Sequence, residues 1–73
     1  MTKFSPNRLR HAREAAGLTH EQLAVILDVT SFSTREWERG RITPRTNVVG
    51  RLADALAVPV DALFSSGGDD VAA

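Results

Sequence analysis

Residues 30–45, TSFSTREWERGRITPR, gather hydroxyls at Thr30, Ser31, Ser33 and Thr34, carboxylates at Glu36 and Glu38, and guanidinium groups at Arg35, Arg39, Arg41 and Arg45. A guanidinium group is planar, permanently charged and bidentate, so it suits phosphate and carboxylate partners. This chemistry is that of binding rather than of bond-breaking. No nucleophile–base–acid set, phosphate loop or metal cluster accompanies these groups. His11 and His20 lie nine residues apart, in a chain without cysteine and without a carboxylate at matching spacing, and read as surface histidines rather than metal ligands. An enzyme is not expected, no cofactor is implied, and 73 residues leave little room for a cleft.

The elements that must hold these groups read as short helices. Ser5-Pro6 is a capping hydroxyl followed by proline at the first helical position, and Leu9, Ala12, Arg13 and Ala16 follow at helical spacing up to Gly17. This predicts a helix over about 6–16. Thr19 with Gln22 forms a capping box for a second helix, with Leu23, Ala24 and Leu27 facing inward and Val25 and Ile26 widening that stripe. Asp28-Val29 ends it. Thr30 caps a third helix over 31–38, which Gly40 closes. The three-residue connection is the length of the turn in a helix-turn-helix motif. Val48, Val49, Leu52, Ala53 and Leu56 mark a fourth helix after the Pro44 breaker, and VPVDALF predicts a last short helical turn. No strand alternation and no internal repeat is visible.

The expected core is Leu9, Ala12, Leu18, Leu23, Ala24, Leu27, Val29, Trp37, Val49, Leu52, Ala53, Leu56, Val58 and Leu63. Phe32 and Trp37 are five residues apart, so a helix turns them away from each other. With Trp37 inward, Ser33 and Thr34 lie on its side, whereas Phe32 and Glu36 share an outward stripe. An exposed aromatic at a helix start calls for a partner.

Nine basic and nine acidic residues give a net charge of zero. The last seven residues, GGDDVAA, hold two of the acids, so the rest of the chain carries nine minus seven, or +2. Residues 65–73 read as a disordered acidic tail behind one domain over residues 1–64. Lys3 is the only lysine. The absence of cysteine and of any long apolar run fits a cytoplasmic protein with no membrane partner.

The segment GLTHEQLAVILDVTSFSTREWERGRITPR resembles the helix-turn-helix of the xenobiotic-response-element (Cro/phage-repressor) family, whose members read G-L-T-Q-x-x-L-A-x-x-x-G-V-S-x-x-x-I-S-x-W-E-R-G-x-x-x-P. RLADALAVPVDALF is similar to the same family's LAxALGVSxDxLL ending, and the likeness covers residues 8–64. It implies an all-α, compact, five-helix lambda-repressor-like domain that binds double-stranded DNA as a transcriptional regulator. It further implies a homodimer on a palindromic operator. Ser31, Phe32 and Glu36 fall at positions that face base edges, and Arg35 is placed to reach guanine or phosphate. His20, Arg39, Arg41 and Arg45 fall along the phosphate backbone, and Thr19 and Thr30 head the helices whose N-termini would grip phosphate. Arg13 and Glu38 match a buried structural salt bridge of the family.

The sequence departs from the family at Asp28 for the turn glycine, at Thr34 for a buried branched residue and at Thr46 for an apolar one. A core so weakened makes Leu63 and Phe64 together candidates for a dimer interface. Two functions follow: a sequence-specific DNA-binding regulator acting as a repressor, or a protein-interaction module such as an antitoxin-like partner whose DNA binding is secondary. The zero net charge and Glu36 on the reading face favour the second, and the motif favours the first. Arg8, Arg10 and Arg51 read as solvated helix faces.

Overall fold

The computed structural model describes residues 3–65. Their order is β1 (Lys3–Phe4), α1 (Pro6–Ala15), α2 (His20–Leu27), α3 (Ser31–Arg39), α4 (Thr46–Leu56), a 3₁₀ turn (Val60–Leu63) and β2 (Phe64–Ser65). Most of the expected starts are present as hydrogen bonds. The Ser5 hydroxyl accepts from Arg8 N–H, and Pro6 follows it. Thr19 and Gln22 close a reciprocal capping box, and the Thr30 hydroxyl accepts from Ser33 N–H at 3.2 Å. α3 ends where Gly40 adopts φ 77°, a left-handed conformation that costs glycine nothing. α2 and α4 end in the same conformation on Asp28 and Ala57, both at φ 58°. At these two positions the backbone is strained by a side chain.

The core is Phe4, Leu9, Leu23, Leu27, Trp37, Val49, Leu52, Ala53, Leu56 and Leu63, with Ala24 buried among them. Ala12, Leu18, Val29 and Val58 are half-buried against it. α2 packs on both α3 and α4, and α1 packs on α3. Each fully buried leucine contributes about 1.5–3 kcal/mol relative to exposure.

Four expectations are corrected. Among the described residues there are four α-helices rather than five. The VPVDALF segment forms one 3₁₀ turn, because Pro59 precedes it and Phe64 leaves it in an extended conformation. The chain then pairs antiparallel with its own start, Lys3 with Ser65 and Phe4 with Phe64, and Ser5 N–H donates to the Leu63 carbonyl at 2.8 Å. A two-stranded sheet thus exists where none was expected, its Phe4 and Phe64 rings edge-to-face at 6.4 Å between centroids. Ser65 belongs to this pair and is buried, so the domain runs past residue 64; the remainder of the expected tail lies outside the described residues. Finally, Val25 is 80% exposed and Ile26 52%, because Leu23, Ala24 and Leu27 alone fill the face of α2 that meets the core.

Candidate nucleic-acid interface

The interface is built outward from Trp37. Its indole is buried, and this sets the rotation of α3 about its axis. Thr34, one turn earlier, is fully buried on the same side. A hydroxyl there needs a partner, and the Thr34 Oγ1 donates to the Ser31 carbonyl at 2.9 Å and approaches the His20 carbonyl at 3.3 Å. The residue that departs from the branched apolar pattern thereby ties the start of α3 to the start of α2.

A second tie is ionic. Arg13 of α1 donates through Nε and Nη2 to the two Glu38 carboxylate oxygens at 2.6 and 3.1 Å, and through Nη1 to the Leu18 carbonyl at 2.8 Å. Glu38 raises the Arg13 pKa by this hydrogen bonding, against the opposing effect of burial. His20 Nε2 lies 3.1 Å from Glu38 Oε1. One carboxylate therefore holds α1, the first residue of α2 and α3 together. His20, expected along the phosphate backbone, is half-buried and engaged with Glu38.

Phe32 stands away from all of this. It is 64% exposed in the first turn of α3, as its spacing from Trp37 requires. Beside it the Arg35 guanidinium donates to the Ser31 hydroxyl at 3.0 Å and to the Glu21 carboxylate of α2. The Glu21 pKa is lowered, first by its own backbone N–H and then by Arg35. Thr19, Thr30, Arg39, Arg41 and Arg45 are all exposed.

Glu36 corrects the expected geometry. It does not share the outward stripe with Phe32; it is 6% exposed, with Arg39 Nη1 at 3.1 Å from Oε2 and Arg41 Nη1 at 3.9 Å from Oε1. A buried carboxylate needs such partners, and this one is turned to two arginines rather than to solvent. Leu63 is a second correction: with no exposed surface it offers nothing to a partner chain, whereas Phe64 is half-buried with its ring edge-to-face on Phe4.

A cleft of about 250 Å³ opens among Arg10, Arg13, His20, Arg35, Glu38 and Arg39. Four guanidinium groups and one imidazole face one carboxylate. Arg10 is solvent-exposed, as the sequence suggests, and it lines this cleft because it precedes Arg13 by three residues and so shares its side of α1. Glu21 had no signal at all, because its partner is fourteen residues away on another helix.

The helix-turn-helix domain model matches residues 7–64. The chain belongs to the helix-turn-helix family of transcriptional regulators. Among solved structures, this helix-turn-helix domain is similar to the restriction-modification controller protein C.AhdI from Aeromonas hydrophila, with 31% identity and a TM-score of 0.75 over 80% of this chain and 88% of that one. The DNA-binding domain of the P22 C2 repressor shares the fold, with a TM-score of 0.78 and 24% identity over 93% of this chain and 87% of that one. The hydroxypropylphosphonic acid epoxidase from S. wedmorenis is similar as well, with 29% identity and a TM-score of 0.79 over 89% of this chain. The helix-turn-helix domain spans only 35% of that epoxidase chain. No curated protein matches the sequence. Family membership and the likeness to C.AhdI make this a helix-turn-helix domain of the kind that transcriptional regulators carry. Among the described residues no helix is long and apolar enough to cross a membrane.

Proposed function

We propose that this domain is a sequence-specific, double-stranded-DNA-binding repressor of transcription in the cytoplasm, with α3 entering the major groove. The observation that carries this reading is Phe32, an exposed aromatic side chain at the head of a helix whose opposite face is locked by Trp37 and Glu38. Phe32 packs on a thymine methyl, Ser31 lies beside it, and Arg35, released from Glu21, reaches guanine or phosphate. Thr19, His20, Thr30, Arg39, Arg41 and Arg45 follow the phosphate backbone, which supplies most of the affinity. Arg10, at the mouth of the basic cleft, joins them.

One domain reads few bases, and each good contact discriminates by roughly 1–3 kcal/mol. A two-fold homodimer on a palindromic operator doubles the reading, with half-site centres about 34 Å apart or a multiple of that. Leu63 has no part in that dimer. Selection from random duplexes, followed by titration at several salt concentrations, tests the proposal. A palindromic consensus and a steep negative dependence of log affinity on log salt support it; a flat dependence overturns it.

The second reading, a protein-interaction module such as an antitoxin-like partner, is favoured by one observation: Val25 and Ile26 project from α2 into solvent. A flat salt dependence together with tight binding of a protein partner would decide for it.

A further inference from the structure

α3 carries two acidic residues. Glu38 belongs to the Arg13–His20 layer, whereas Glu36 serves neither that layer nor the reading face. Its carboxylate is buried between two exposed guanidinium groups, those of Arg39 and Arg41. Its carbonyl accepts from the backbone N–H groups of Arg41 at 3.1 Å and Ile42 at 3.4 Å. Glu36 thus holds the turn after α3 twice, through the backbone and through the side chains of the arginines flanking Gly40.

Two guanidinium groups drawn this close repel each other, and an anion shared between them offsets that repulsion. Each guanidinium has five N–H donors, and one contact to Glu36 leaves the others directed to water. The carboxylate is covered and the cations are not, so an approaching phosphate meets the cations first. A head held in place before binding loses less rotamer freedom when phosphate arrives.

We infer that Glu36 is a positioning residue for phosphate binding: its buried carboxylate gathers Arg39 and Arg41 into one preset phosphate clamp at the C-terminal end of α3. The inference rests on the proposed DNA binding and assigns Glu36 a role independent of base sequence.

The test is Glu36→Gln in the full chain, a substitution that keeps shape and removes charge. Binding is measured on the selected consensus duplex and on a random duplex of equal length, each at several salt concentrations. E36Q weakens both by the same factor, about tenfold, the scale of one charge-assisted hydrogen bond. The log–log salt slope falls in magnitude by about one to two, since each phosphate contact carries about 0.9. In an Arg39→Ala, Arg41→Ala background the same substitution has no effect.

Tighter binding by E36Q, a loss confined to one base at one position, or an unchanged loss without the two arginines overturns the inference alone. A wild-type chain that shows no salt-dependent duplex binding overturns the DNA reading and the inference with it. Should E36Q not fold, NMR relaxation of the wild-type arginine Nε–H groups decides. Arg39 and Arg41 are expected to be ordered in the free protein relative to Arg45, which makes no ion pair among the described residues; heads as mobile as that of Arg45 overturn the clamp.

Discussion

Arg13 and Glu38 meet through two parallel N–H···O bonds across 25 residues of sequence, and His20 shares the same carboxylate. Both members of the Arg13–Glu38 pair are about nine-tenths covered or more. Removing one charge leaves the other buried without compensation, which costs about 3–5 kcal/mol. Glu38→Gln is therefore expected to destabilise the domain on that scale in chemical denaturation. A loss below about 1 kcal/mol would show that water already screens the pair.

Phe32 is the reverse case, an apolar group with little to lose. Phe32→Ala should leave the unfolding free energy within about 0.5 kcal/mol, as for other exposed positions. It should weaken DNA binding by about 1 kcal/mol, roughly fivefold, and only for duplexes bearing thymine at one position. Competition binding against single-base variants of the consensus measures this. Equal loss on every duplex would remove Phe32 from the reading face.

Ala57 closes α4 at φ 58° and ψ 41°, where the family's ending carries glycine. The left-handed conformation costs a residue with a Cβ roughly 1–2 kcal/mol, and glycine avoids that while losing more chain entropy. Ala57→Gly is expected to stabilise the domain by about 1 kcal/mol. For a chain of this size that raises the midpoint of thermal unfolding by about 4–8 °C. No rise, or a fall, would show that the turn has another source of stability.

Glu21 links stability to pH. Its carboxyl pKa is lowered in the folded state, first by its own backbone N–H and then by the Arg35 guanidinium. A lowered native value means that the carboxylate's contribution is present above the ordinary range near about 4.3 and is lost as pH falls through the native value. An NMR titration of the Glu21 carboxyl should show a midpoint below that range. In Arg35→Met the midpoint should move up but stay partly depressed, since the backbone donor remains. A midpoint indifferent to Arg35 would remove the α2–α3 link.

Much of the fold was legible because its signals are local. A capping hydroxyl, a proline at the first helical position and a glycine after the last turn each act through bonds spanning three or four residues. The helical period likewise places Phe32 opposite Trp37 whatever lies around them. The family pattern carried the Arg13–Glu38 pair, which no local spacing reveals.

Tertiary structure decided how each helix is rolled against its neighbours. The period gives the angle between two side chains, not the angle of either to the core. Glu36 follows the same repeat as Phe32, yet it is buried, with Arg39 of its own helix and Arg41 of the turn beyond it drawn to its carboxylate. Val25 and Ile26 are as apolar as Leu23, but α3 and α4 meet only the other face of α2. The pairing of Lys3–Phe4 with Phe64–Ser65 joins segments some sixty residues apart, which no local spacing signals. Short-range chemistry was thus enough to set where the helices begin and end, while the charges that face a ligand were selected by packing, since burial depends on every neighbour at once.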